Sequence, residues 1–498
     1  MFRHLLALLA AAPIALAGAS PAQSTGTDPA RCAGLTASHV PQGTITSAAI
    51  ADGYCEVQGT LRPATHFTIK LPVRGWTGQY VQQGCSGLCG AVPDLAYPLF
   101  GFDCAAAMAR TLVVAADDTG HRGDFEGAEP ATWGADPQAR LEFGRTSEHR
   151  LRLASDRLMV AYYGRGPSYR YFDGCSTGGR QGLNLAQRYP TDFDGILAGA
   201  PANDLAALNL VQAWRVTSNT DARGRQILGP EKVPALHEAV VKKCGEVIQD
   251  PRQCGFQPLS LRCPAGVDKP ACLTSAQVSA VVKIYRGPSG LFNGGMPYGS
   301  ELGWIDEFVV RSGSPLNGST AKLALNYFKY LGYPRVLPDS FTLPGVRFTQ
   351  ATLEQLNKMA DVLYNATDPD LRAFRAHGGK LIVYHGWADP SIPPFSTVDY
   401  YRAVQRRGGA NAYTRLYMIP AGYHCLFGPE PTGEPSEAGL PEFLQPLMDW
   451  VEKGEAPGVI TVPTVDGKFT EVIRELDVAP FDALARVSVP PGGLNATR

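Results

Sequence analysis

The chain has 498 residues, 45 basic and 46 acidic, for a formal charge of −1. That balance excludes the basic surface with which a protein displaces counterions from nucleic acid. A charged fraction of 18% and a hydrophobic fraction of 44% exclude a disordered chain. The 11 cysteines are too many for idle cytosolic thiols, and the odd count leaves at least one without an intramolecular partner.

The N-terminus reads Met-Phe-Arg-His, then an apolar run from Leu5 to Leu16, then small residues at Ala15, Ala17, Ser20 and Ala22. This is the form of an export signal, so residues 1–22 are expected to be removed and the mature protein to be secreted or periplasmic. The run is shorter than the ~20 residues of a membrane helix. No later stretch reaches that length without charges or Pro, so no membrane span is expected. Export makes disulfides expected. Asn317, Asn365 and Asn495 each open a glycosylation acceptor pattern, which matters only in a eukaryotic host.

Strand and helix signals then alternate. His66 to Val73 alternates in hydrophobicity, Gly78 to Gly84 ends in a glycine-rich turn, and Arg110 to Ala116 is a branched apolar run. Ser147 to Tyr163 has helical spacing, Tyr169 to Asp173 is a short strand, and Gly179 to Tyr189 is a helix stopped by Pro190. Gly195 to Pro201 is the next strand and turn. Such alternation predicts an α/β core with a mainly parallel sheet. From about Asp204 to Pro344 the pattern becomes irregular, and it carries Cys244, Cys254, Cys263 and Cys272. Strand signals return at Lys380 to Tyr384 and Thr414 to Ile419. The expected organisation is a core in two parts, 23–204 and 345–498, with residues 205–344 inserted as a large lid over the sheet's C-terminal edge.

Gly174-Cys-Ser-Thr-Gly178 fits G-x-S-x-G between a strand and a helix. That context turns a weak pattern into a nucleophile elbow. Ser176 is the expected nucleophile, and the Thr177 N–H at the helix start is an oxyanion donor. The acid and then the histidine should follow in chain order. Asp389 follows one late strand and His424 the next, so they are the expected acid and base. His385 sits closer to its strand and reads as a structural loop residue, with the base as its alternative role; Asp370 and Asp399 are rival acids. Cys175 precedes the nucleophile and Cys425 follows the base; a bond between them would hold the pair in register.

Tyr171-Phe-Asp-Gly-Cys-Ser-Thr-Gly-Gly-Arg-Gln-Gly182, Gly378-Gly-Lys-Leu-Ile-Val-Tyr-His-Gly-Trp-Ala-Asp-Pro390 and Gly422-Tyr-His-Cys425 together resemble the tannase/feruloyl esterase family. The resemblance runs from about Cys32 to Val451. It implies an α/β-hydrolase fold with a lid, a serine esterase acting on aromatic esters, and a Cys175–Cys425 bond. It also places Gly84 and Cys85 in the family's oxyanion loop, and gives Asp118-Thr-Gly-His121 a structural turn, with a metal at Asp117, Asp118 and His121 as the alternative. Family lids carry an Asp-rich calcium loop after a cysteine. Here only Glu246 and Asp250 follow Cys244, too few carboxylates for a hard cation with six to eight oxygens. No metal or organic cofactor is therefore expected. Cys244–Cys254, Cys263–Cys272 and Cys32–Cys55 are the expected local bridges, and Cys89–Cys104 the expected pair among Cys85, Cys89 and Cys104.

The expected substrate is a small aromatic ester, free or attached to plant polysaccharide, with feruloyl-type esters first. Gallate esters and monoesters of small aromatic diacids are the alternatives. An acyltransferase or a noncatalytic binding protein on the same scaffold is the rival class. Trp304, Phe308, Arg311 and Glu301 are the expected substrate contacts in the lid, Trp304 stacking on the ring; in the competing reading the two aromatics only build the lid's core.

Overall fold

Six parallel strands carry the fold, as the buried, branched runs of the sequence require. In the computed structural model nine strands form one sheet, ordered β1-β2-β3-β5-β4-β6-β7-β8-β9. They are β1 (Gly43–Ala51), β2 (Tyr54–Leu61), β3 (Thr65–Pro72), β4 (Gln79–Gln83), β5 (Val113–Asp117), β6 (Tyr169–Cys175), β7 (Gly195–Gly199), β8 (Lys380–Gly386) and β9 (Thr414–Ile419). Strands β1, β2, β3 and β5 pair antiparallel, and from β5 to β9 every pairing is parallel. The structure describes residues 29–93, 95, 109–124, 127, 129–291, 294–426, 428, 437–439, 441–466 and 471–485. The expected export signal, Cys104 and Asn495 lie outside them.

The sheet is apolar on both faces because its side chains alternate with a period of two. Phe172, Ile196, Ala198, Leu381 and Val383 face one core together with Leu151 and Leu158 of helix Ser147–Tyr163 and Leu183 of helix Thr177–Arg188. Tyr171, Leu197, Ile382 and Tyr384 face the other, against Leu444, Leu447 and Trp450 of helix Leu444–Lys453. Beyond that helix, β10 (Glu437–Gly439), β11 (Ile460–Asp466) and β12 (Val472–Val478) form a separate antiparallel sheet that the sequence reading did not anticipate.

Strands β7 and β8 are neighbours, with Ile196 opposite Leu381. The 180-residue excursion between them adds no strand to the sheet. It opens with helix Leu205–Ser218, whose apolar and buried surface runs almost all round. Such a helix must be enclosed. Helices Ser275–Arg286, Ser319–Asn326 and Gln350–Leu363 enclose it. The excursion lies against the loops after β8 and β9: Tyr423 donates to the Gly299 carbonyl at 3.1 Å, and a Cβ on Gly303 would stand 2.7 Å from Pro390. Disulfides Cys244–Cys254 and Cys263–Cys272 tie its short loops, and Cys32–Cys55 anchors the N-terminal helix Pro29–Gly34 to β2. Asn365 is buried, and its side chain accepts from the Leu205 N–H, so that position has no room for a glycan.

Candidate active site

Strand β6 ends at Cys175 and the next helix begins at Thr177, so Ser176 alone makes the turn. Its backbone sits at φ 63°, ψ −119°. A non-glycine residue there carries strain of order 1–3 kcal/mol and is kept by its surroundings. The surroundings are visible. Ser176 N–H donates to the Gly199 carbonyl at 2.9 Å, and its own carbonyl accepts from Ala202 at 3.1 Å. A Cβ on Gly174 would stand 2.7 Å from the Gly178 carbonyl carbon, which is why only glycine closes the elbow.

The acid and base come from the ends of β8 and β9. His424 Nδ1 donates to Asp389 Oδ2 at 2.7 Å. The other oxygen of Asp389 accepts from the Ser391 and Ile392 N–H groups, both at 2.8 Å. Asp389 is fully buried while the His424 side chain is 25% exposed. Burial alone would raise the acid. The facing His424 charge and the hydrogen bonds from His385 and His424 overcome it and hold the carboxyl well below the usual range. Burial would lower His424, but Asp389's charge and hydrogen bond outweigh it and leave the imidazole raised. The Cys175–Cys425 disulfide spans 250 residues with a Cα separation of 6.0 Å. It joins the neighbour of Ser176 to the neighbour of His424.

The rivals fall elsewhere. Asp370 is paired with Arg372, and Asp399 with Arg402. His385 is fully buried, yet it is not a bystander. Its Nε2 faces Asp389 Oδ2 at 3.1 Å and the Ile392 carbonyl at 3.0 Å, so that nitrogen carries the proton. Its Nδ1 meets the Thr397 hydroxyl at 2.8 Å. The structure places His385 in β8, not in a loop. The signal for its role was the i, i+4 spacing to Asp389 off the end of one strand.

The loop after β4 requires two corrections. The Gly84 N–H donates to the Asp173 carbonyl at 2.9 Å, and the Cys85 N–H to Gln181 Oε1 at 3.0 Å. Both expected oxyanion donors are thus engaged by the fold, Gly84 by continuing the β4–β6 ladder. Thr177, the first residue of the helix, has its N–H beyond the reach of an intrahelical acceptor. Its hydroxyl pins the same loop by donating to the Gly87 carbonyl at 2.6 Å. The second correction is the pairing: Cys89 is bonded to Cys85, not to Cys104. A tight turn, with Cys89 N–H on the Ser86 carbonyl at 2.8 Å, brings the two Cα atoms to 5.4 Å.

The expected substrate contacts in the insertion are also corrected. Trp304 and Phe308 are fully buried, and Trp304 Nε1 donates to Ser300 Oγ at 2.9 Å. They build the insertion's own core with Tyr285. Glu301 is buried as well; it accepts from Tyr285 at 2.7 Å and the Gly299 N–H at 2.9 Å, and pairs with His237 at 2.8 Å. Arg311 is exposed and paired with Asp306. Sequence shows which side chains are aromatic or charged but not their depth. A cavity of ≈ 220 Å³ does lie beside the acid and base, walled by Tyr298, Leu302, Trp387, Ala388 and Tyr423, with Arg474 from β12.

The calcium loop of the resemblance does not fit here. Both carboxylate oxygens of Asp250 accept from the Arg252 guanidinium, at 2.7–3.1 Å. The Arg252 side chain is only 3% exposed and lies over the rings of Trp387 and Phe481. Asp118 is filled by His66 and Gly120, and His121 Nε2 bonds the Leu88 carbonyl at 2.9 Å. Among the described residues no three His, Cys, Asp or Glu side chains gather as a metal site.

A parallel sheet with a strained serine elbow after β6, an acid after β8 and a histidine after β9 defines an α/β-hydrolase. A family model described as "Tannase and feruloyl esterase" matches residues 48–486. The chain belongs to the tannase and feruloyl esterase family and is a carboxylic ester hydrolase. It is similar to mono(2-hydroxyethyl) terephthalate hydrolase of Piscinibacter sakaiensis, 29% identical over 88% of this chain and 83% of that one. Feruloyl esterase B of Aspergillus niger is 28% identical over 77% of this chain and 74% of that one. The solved structure of feruloyl esterase B from Aspergillus oryzae superposes with a TM-score of 0.76 at 22% identity, covering 91% of this chain and 95% of that one.

Proposed function

We propose that the protein hydrolyses esters of small aromatic acids through an acyl-enzyme on Ser176. The observation that carries this is the pairing of a strained serine with a histidine one residue along on the far side of a disulfide, that histidine being held by a buried, ionised Asp389. His424 Nδ1 is committed to Asp389, which leaves Nε2 to take the Ser176 proton and return it to the leaving alcohol. The Thr177 N–H stabilises the oxyanion, and water resolves the acyl-enzyme. This chemistry asks for no metal or organic cofactor.

The aromatic acid is read from the relatives, whose names specify terephthalate and feruloyl esters. Feruloyl-type esters come first. The 29% identity to the terephthalate monoester hydrolase supports small aromatic diacid monoesters as the second reading. We place the mature chain outside the cytoplasm, where its five described disulfides are stable. Among the described residues no helix is long and apolar enough to cross a membrane. Hydrolysis of methyl ferulate, methyl gallate and mono(2-hydroxyethyl) terephthalate, measured side by side, ranks the substrates. A folded Ser176→Ala variant should lose at least about 10³-fold in kcat. Wild-type turnover in that variant would end the proposal.

A further inference from the structure

Two residues of the insertion, Arg215 and Glu307, reach the loop that carries the acid. Arg215, on helix Leu205–Ser218, is 1% exposed. Its Nη1 donates to the Pro390 carbonyl and its Nη2 to the Ser391 carbonyl at 2.9 Å. Glu307 accepts from the Ser391 hydroxyl with one oxygen and from Thr320 Oγ1 with the other. Ser391 is the residue whose own N–H donates to Asp389 Oδ1. An unbroken path of hydrogen bonds therefore runs from the insertion, through Ser391, to the carboxylate that holds His424. Neither Arg215 nor Glu307 stood out in the sequence; their roles come from contacts across 84 to 176 positions of chain.

We propose that Arg215 and Glu307 are positioning residues, through which the inserted segment clamps the Asp389 loop in its working geometry. The inference rests on the Ser176–His424–Asp389 reading above. The physical reason is that the bonds within the Asp389–Ile392 turn leave the Pro390 and Ser391 carbonyls and the Ser391 hydroxyl to be held from outside it. A guanidinium on two successive carbonyls and a carboxylate on the intervening hydroxyl fix it from outside. The insertion is thereby part of the catalytic apparatus as well as a cover for it.

The two clamps carry opposite charges, and this gives the clamp an electrostatic signature. Asp389, Glu307 and Arg215 are the charged groups that face His424, and His385 and Arg215 face Asp389. Burial draws Arg215 down to about 10, so it is a cation at neutral pH. Glu307 favours the imidazolium and Arg215 disfavours it. The base must be neutral to act, so the acid limb of kcat/KM follows its titration.

The test is the pH dependence of kcat and KM for wild type, Glu307→Gln, Ser391→Ala and Arg215→Met. Glu307→Gln keeps the shape and removes only the charge. Its acid limb should move to lower pH by roughly 0.5 unit, and that of Arg215→Met to higher pH by a similar amount. Ser391→Ala should lower kcat roughly tenfold with KM unchanged and no shift of the limb. Circular dichroism and covalent labelling of Ser176 by a fluorophosphonate check that each variant is folded. Should Arg215→Met not fold, Glu307→Gln and Ser391→Ala decide. An unshifted limb in Glu307→Gln, or wild-type kcat in Ser391→Ala, overturns the clamp while labelling leaves the triad standing. Turnover or labelling in Ser176→Ala would instead overturn the triad itself.

Discussion

Two aspartates, one on β6 and one after β8, stand on either side of β7 and are equally buried, yet they have opposite fates. Asp389 receives four hydrogen bonds: two from backbone N–H groups and two from imidazoles. It stays ionised. Asp173 has no hydrogen-bond partner on either oxygen among the described residues. Burial, with Glu442 adding to it, pushes its carboxyl well above the ordinary range, so it is kept neutral. Depth does not decide the charge of a buried acid. The donors built around it do.

That contrast can be broken from either side. Asp389→Asn should cost about 10⁴-fold in kcat, because the amide cannot hold His424 in its working tautomer; steady-state kinetics would show it. Removing the Cys175–Cys425 bond with paired serines should cost about 5 kcal/mol of stability in the chain-entropy treatment, measurable by denaturant unfolding. His385→Ala removes one of the four donors and should lower kcat roughly tenfold at unchanged KM. Asp173→Asn should leave kcat within about twofold, since it exchanges one neutral group for another.

The same pair predicts opposite slopes of stability against pH. The depressed Asp389 contributes stability that is present above the ordinary carboxylate pKa and lost as pH falls below it. The raised Asp173 keeps a proton that the unfolded chain gives up, so its contribution is full below the ordinary carboxylate pKa and is lost as pH rises from there through its own raised pKa. Thermal midpoints from pH 3 to pH 8 should therefore rise less steeply in Asp389→Asn. In Asp173→Asn the loss of stability that begins above the ordinary carboxylate pKa should shrink.

Much of this site was legible because its signals are local. Ser176 is marked by its neighbours Gly174 and Gly178 and by the strand and helix on either side. Asp389 and His424 follow apolar runs that can only be buried strands. What sequence missed depends on distance through space. By sequence Trp304 is open to two readings, a ring stacked on the substrate or a part of the insertion's own core; the structure gives the second, with Tyr285 of helix Ser275–Arg286 packed on it. Cys85 and Cys89 pair because a turn brings them together, whereas their spacing alone did not favour them over Cys104. Gly84 lost its expected role to an ordinary ladder bond from β6. The small sheet β10–β12 escaped because β10 has only 3 residues, Pro463 interrupts β11 and charged residues run through β12.

The Cys175–Cys425 bond has a consequence for how such a protein diversifies. It sets the spacing of nucleophile and base although its two cysteines stand 250 positions apart in the chain. Residues can be added to or deleted from the loops of that stretch over generations, and the reacting pair keeps its alignment. Natural variation in that stretch can therefore proceed while one covalent bond keeps the reacting pair together.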